Sequence, residues 1–290
     1  MNTSSFRQYA ALGFCAFTVP AILLLPQCGW VWATAAALVT ALLCAGGPIT
    51  PPNRLISTLL LLWNWLMLGC FASMLSLPAQ SDLPGLLLLL LAAYGAERKT
   101  LPRVAAVLSF FLVAMYGALL VFALPELKVQ ALAPELQGDW TLLPFALAPT
   151  AVCYLCKERG RATPWLMGGI LLAGLAAVVT QGLRATDFYT AAKSVTVLGV
   201  MERLEPLVLS ALTAGGFCLM GLLCTVNGEL TQGRATASLN FLGGAAGYLL
   251  FPLIPSWLPA AGTAIFWGLI PFCLQLVEIL KKFKKSEKSA

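Results

Sequence analysis

The sequence predicts an all-α polytopic membrane protein, with ten transmembrane helices arranged as a five-plus-five inverted repeat. Three observations carry that expectation. First, of 290 residues, 59% are hydrophobic and 10% charged, and the mean hydropathy is +0.86; soluble domains carry about 25% charged residues. Second, apolar runs recur along the whole chain, most of them close to the ~20 residues that cross a bilayer as a helix. Third, two of these runs, Ala10–Pro26 and Thr141–Cys156, are interrupted by proline. Each proline removes a backbone donor and clashes with the preceding turn. In lipid such a break is tolerated only where the freed carbonyls face protein or water. Interrupted segments in corresponding positions of two halves point to a transporter-type binding site.

In chain order the apolar runs are 9–27, 29–46, 55–77, 83–96, 101–124, 141–157, 163–183, 203–226, 235–253 and 259–280. The fourth, LPGLLLLLLAAYGA, is short enough to be re-entrant instead of crossing. Charge decides for a crossing. With ten spans and the N-terminus in the cytoplasm, fourteen Lys and Arg fall inside and four outside. The inner set is Arg7, Arg54, Arg98, Lys99, Arg103, Lys157, Arg159, Arg161, Arg234 and the tail lysines; the outer is Lys128, Arg184, Lys193 and Arg203. That split satisfies the positive-inside rule, with both termini cytoplasmic. The chain then forms one transmembrane domain over 1–290. Residues 1–124 are the first five-helix repeat and 125–140 an outer connection. Residues 141–280 are the second repeat and 281–290 a basic tail suited to anionic membrane lipid. An odd number of spans in each half inverts the second relative to the first. Residues 183–202, too mixed to cross, read as an outer flap.

The composition excludes several chemistries. There is no histidine, so the usual proton shuttle and commonest metal ligand are missing. The nine cysteines lie mostly in apolar runs, where they act as small hydrophobes. Cys153 and Cys156 form a lone CxxC with no second pair to complete a zinc site. No phosphate loop, catalytic dyad or nucleic-acid patch is present, so neither an enzyme nor a cofactor is expected. The candidate solute contacts are Phe17, Thr18, Val19 and Pro20 in the first break, and Ala146, Leu147, Ala148, Pro149 and Thr150 in the second. No strong charge lies in either break. Backbone groups must then supply most of the recognition, which favours a neutral or zwitterionic small solute. Asn64, in the middle of the third span, either bonds another helix or lines a cavity. Glu205 is either an interfacial charge at a helix start or a gate beside Arg203. Glu97 ends the fourth span next to Arg98. Glycine pairs at 168–169, 215–216 and 243–244 are expected to let helices approach closely.

Three stretches resemble the permease-like B-subunit family of spore germinant receptors. Residues 92–136 carry Gly95, Glu97 and Arg103 at the turn between spans four and five. Residues 188–217 carry Arg203, Leu204 and Glu205 at the start of span eight, and residues 22–37 resemble the family's first turn with its tryptophan. The resemblance implies the LeuT-like arrangement of the amino acid–polyamine–organocation transporter superfamily. It implies a spore inner-membrane protein that senses an amino-acid-like germinant together with A- and C-type subunits. It also assigns gate or coupling roles to Glu97, Arg103, Arg203 and Glu205. A secondary transporter of the same fold, or a structural subunit with a vestigial pocket, is the alternative.

Overall fold

The structure, a computed structural model, describes residues 3–47, 49, 53–76, 81–132, 140–155, 163–185, 188–194 and 205–287. Among the described residues the chain is helical, with no strand. The α-helices are α1 (Thr3–Val19), α2 (Trp30–Ala45), α3 (Arg54–Ser76), α4 (Leu83–Glu97), α5 (Leu101–Ala123), α6 (Thr163–Gly182), α7 (Phe188–Ser194), α8 (Glu205–Leu230), α9 (Ala237–Leu250), α10 (Trp257–Thr263) and α11 (Ile270–Glu287). Among the described residues six stretches are long and apolar enough to cross a membrane, and four apolar helices are shorter. The chain is therefore an all-α membrane protein.

Side-chain burial separates a core from a lipid-facing rim. Phe17, Phe71, Phe188 and Trp267 are fully enclosed, while α5 turns Val107, Phe110 and Val113 outward. The charged side chains avoid the interior: among the described residues every buried polar side chain is neutral. In a bilayer the outward apolar side chains need no protein partner, so this distribution is what lipid as solvent demands.

Small residues set the closest approaches. A Cβ on Gly69 of α3 would run into the backbone of Gly247 and Tyr248 on α9. A Cβ on Gly85 of α4 would strike the carbonyl of Ala72 on α3. The glycine pairs act as expected: Gly168 lies against Phe14, Gly215 against Thr18, and Gly244 against Leu68 and Leu89. Without a hydrophobic drive between helices in lipid, such tight backbone contact is the main source of packing energy.

Both expected interruptions are irregular, each in its own way. After α1, residues Pro20–Leu24 form a widened π turn and Leu25–Cys28 a tight 3₁₀ turn. Gly29, at φ 81°, then turns the chain into α2. The second interrupted segment has no α-helical part among its described residues: Trp140–Tyr154 is a 3₁₀ helix of 15 residues containing Pro144 and Pro149. A 3₁₀ helix rises about 2.0 Å per residue, so these residues extend roughly 30 Å, about the thickness of the hydrocarbon core. The stretch is too short to cross as an α-helix but long enough in this form. A third irregularity was not expected. Ala264–Leu269, between α10 and α11, is also a π turn.

The irregular segments pack together at the centre. Trp140–Tyr154 lies against α1, α2, α8, α10 and the Ala264–Leu269 turn, and it touches Pro20–Leu24 and Leu25–Cys28. Elements of the first five apolar runs also pack on elements of the last five. The pairs are α1 with Trp140–Tyr154, α2 with α6, α3 with α8, and α4 with α9. Residues 188–194 of the expected outer flap form the short helix α7, which packs on α6, α8 and the Pro20–Leu24 turn.

Candidate solute site at the interrupted helices

Proline decides where backbone groups are left over. In a 3₁₀ helix each N–H bonds the carbonyl three residues back, so Pro149 leaves the Ala146 carbonyl without its donor. The Thr40 hydroxyl of α2 donates to that carbonyl at 2.9 Å, sharing its proton with Ala36 O in its own helix. The Ala264–Leu269 π turn runs into Pro271, which has no N–H to offer it, and the Trp267 carbonyl lies in that turn. The Thr150 hydroxyl of the 3₁₀ segment donates to that carbonyl at 2.7 Å. A carbonyl of the second break and one of the last span's π turn thus each accept a threonine hydroxyl from another span. The Cys153 carbonyl likewise accepts from the Ile49 N–H at 2.9 Å.

Thr40→Val and Thr150→Val keep side-chain shape while each removes the interhelical hydrogen bond to a buried carbonyl. Each should cost about 1–3 kcal/mol, read as a lowered thermal unfolding midpoint in lipid nanodiscs. Thr213→Val should change nothing measurable, because the Thr213 hydroxyl is exposed and bonds only Leu209 O of its own helix.

The candidate contacts are enclosed. Phe17, Thr18, Val19, Ala146, Ala148 and Thr150 are buried, as are Pro20 and Pro149, and Leu147 is half-buried. Phe17 meets the Trp165 ring of α6 edge-on at 6.2 Å. Leu147 faces Gly268 in the π turn of the last span. Phe145 packs edge-on to Phe71 of α3, which in turn stacks on Trp267. Thr18 differs from the other polar contacts. Its hydroxyl is fully buried, and among the described residues no hydrogen bond reaches it.

Asn64 belongs to a ladder of buried amides that the sequence did not foretell. Trp267 Nε1–H donates to Asn64 Oδ1 at 3.1 Å. Asn64 Nδ2 donates to Asn227 Oδ1 of α8 at 2.9 Å, and Asn227 Nδ2 to Asn240 Oδ1 of α9 at 2.9 Å. Trp65 Nε1–H also donates to Asn240 Oδ1, at 3.2 Å, and Asn240 Nδ2 ends the series on Ala235 O at 3.4 Å. The indoles can only donate, so the direction of every amide is fixed. Turning them round would present an amide N–H to the Trp267 N–H. Through Trp267, Asn64 and Thr150 are two bonds apart, which ties the second break to α3, α8 and α9.

No family model matches the chain, and no curated protein matches it. The chemistry on offer is that of the residues themselves. Among the described residues no group of three or more His, Cys, Asp or Glu could hold a metal ion.

Of the residues expected to gate, Glu97 and Arg103 are exposed, at the end of α4 and near the start of α5. The Glu97 carboxylate accepts the N–H of Ala237, the first residue of α9, at 3.1 Å. It adds negative charge where the helix dipole is positive. Glu205 is the first residue of α8, with its side chain outside the described residues, as is the whole of Arg203. The sequence reading missed Thr40, Asn227, Asn240, Trp267 and also Gln275, whose Nε2 donates to Leu43 O and Gly47 O at the end of α2. The available signal was polar residues and a proline, Pro271, inside apolar runs.

Proposed function

We propose that this chain is a permease-like membrane protein that takes a small neutral or zwitterionic solute where the Pro20–Leu24 turn meets Trp140–Tyr154. The observation that carries the reading is the meeting of these two irregular segments, preceded by a Thr18 hydroxyl that is buried and unpartnered among the described residues, with no charged side chain buried among those residues. A net charge placed there would lose its hydration without a counter-charge. An uncharged or internally neutralised solute meets only hydroxyl, amide and backbone dipoles.

The five-plus-five inverted repeat is part of the proposal. A two-fold axis relating the halves requires each span to pack on its counterpart or to have its contacts mirrored. Four counterpart pairs do pack on each other. The α3–α9 contact has its mirror in α4–α8, and α1–α5 has its mirror in the packing of Trp140–Tyr154 on α10 and the following turn. On the resemblance to germinant-receptor B-subunits, the solute is an amino-acid-like germinant. The protein then sits in the spore inner membrane with both termini cytoplasmic and signals through A- and C-type subunits. Glu97, Arg103, Arg203 and Glu205 serve coupling in that reading.

Ala148→Leu tests the site. Ala148 is fully buried in the second break, and a leucine fills space there without adding charge. In nanodiscs, neutral amino acids should raise the unfolding midpoint of the wild-type protein, since a ligand that binds only the folded state stabilises it. Ala148→Leu should lose that response while its ligand-free midpoint stays close to wild type. A large drop in the ligand-free midpoint, with no amino acid shifting the wild type, would mean a packed core and would sink the site. Solute uptake into proteoliposomes separates the transporter reading from the sensing one.

A further inference from the structure

The two shortest spans on the rim form a face with its own hydrophobic thickness. Helices α4 and α9 lie side by side and antiparallel, tied at both ends by carboxylates that flank α4. At one end the Tyr248 hydroxyl of α9 donates to the Asp82 carboxylate. At the other, Ala237 N–H donates to Glu97 Oε2 at 3.1 Å. Between them α4 has 15 residues, about 22 Å of helix at 1.5 Å per residue. Its outward side chains are apolar, including Leu83, Leu87, Leu91 and Tyr94, each more than half exposed. On α9, Leu242 and Leu249 are exposed as well. By contrast, α3 and α5 have 23 residues each, about 34 Å.

A hydrocarbon core is about 30 Å thick. An acidic side chain at the end of a short span ordinarily bends outward to reach water. Here neither does so freely, because Asp82 is bonded to Tyr248 and Glu97 to the first turn of α9. Beyond Glu97 come the exposed Arg98, Lys99 and Arg103, suited to the phosphates of a lipid headgroup layer. Arg98 is folded back over the Tyr94 ring, 5.1 Å from its centroid, and so marks headgroup level at that end.

We propose that the α4–α9 face is occupied by phospholipid drawn in to a local hydrophobic thickness of about 22 Å, while the bilayer beside α5 keeps its ordinary thickness. The face is a built-in membrane-thinning surface, and it holds whether or not the interrupted segments bind a solute.

Electron paramagnetic resonance depth measurements test this on the full chain in dioleoyl phosphatidylcholine–phosphatidylglycerol vesicles. The spin label is attached through a genetically encoded azido-phenylalanine, which leaves the nine cysteines in place. Labels at Leu83 and Arg98, the two ends of α4, lie about 22 Å apart along the helix, and labels at the exposed Val107 and Val121 of α5 about 21 Å apart. Both α4 labels should read at headgroup level, and both α5 labels inside the hydrocarbon. The double variant Asp82→Leu with Tyr248→Phe removes the polar tie at one end, and the Leu83 label should then move into the hydrocarbon. The proposal is overturned if the Leu83 or Arg98 label reads as buried in hydrocarbon in the wild-type background. It is also overturned if lipid-dissolved oxygen fails to reach Leu87 and Leu91, because a second copy or another chain then covers the face. An unmoved Leu83 label in the double variant would equally show that Asp82 does not set the boundary.

Discussion

Gly69→Ala should strip most of the folded protein from the membrane. The added methyl falls on the backbone of Gly247 and Tyr248, not on the end of a flexible side chain. Backbone cannot rotate out of the way, so α3 and α9 must separate. Overpacking a filled core costs about 1–3 kcal/mol and occasionally more, and a backbone–backbone clash at a crossing point belongs at the upper end. The separation would also pull Trp65 away from Asn240, stretching the 3.2 Å bond between the same two helices. The measurement is the monodisperse fraction and unfolding midpoint after extraction in mild detergent. Gly117→Ala and Gly228→Ala are the controls. A methyl at either position meets nothing within 4 Å, and the gain in helix propensity is worth up to about 1 kcal/mol. If Gly69→Ala behaved like these, the close crossing of α3 and α9 would be wrong.

Asn227→Leu carries the second large effect. It removes the middle rung of the amide ladder and leaves Asn64 Nδ2 without its acceptor and Asn240 Oδ1 with only Trp65. Interhelical hydrogen bonds in membranes average about 0.6 kcal/mol and reach about 1.7. Two lost bonds with a stranded buried donor should together cost about 2–3 kcal/mol. Removing all three amides at once, in Asn64→Leu with Asn227→Leu and Asn240→Leu, should cost less than the sum of the single changes, because no stranded amide remains to pay for. Unfolding midpoints of the three single variants and the triple variant in nanodiscs give the comparison. Strict additivity would mean that the amides act independently and not as one series.

Much of this architecture was written in local patterns. The apolar runs and the polar residues between them marked the helices to within a few residues, because helix length and hydrocarbon thickness are read from the same stretch. Pro20, Pro144 and Pro149 marked the two breaks, because a missing N–H is a property of the residue. Which irregular helix would result was not legible. A π turn after Val19 and a 3₁₀ run through Pro144 and Pro149 depend on which neighbours take the stray carbonyls, as Thr40 does for Ala146. Pro271 carried the same local signal in the last span, but its partner Thr150 is more than a hundred residues away. The ladder stayed hidden for a related reason. Asn227 lies near the end of α8 and Asn240 near the start of α9, where polar residues are ordinary. Only the crossing of α3 with both turns three separate asparagines into one series.

The 3₁₀ form of Trp140–Tyr154 has a mechanical consequence. At 2.0 Å per residue it is a stretched-out helix, since the same 15 residues wound as an α-helix would measure about 22 Å instead of about 30 Å. Each residue that rewinds shortens the segment by about 0.5 Å. The contraction is not free to spread evenly, because Ala146 is pinned to α2 and Thr150 to the last span. Rewinding on either side of those two pins draws one end of the segment inward and leaves the other in place. Rewinding this segment would thus shorten it along its own axis without requiring any helix to tilt.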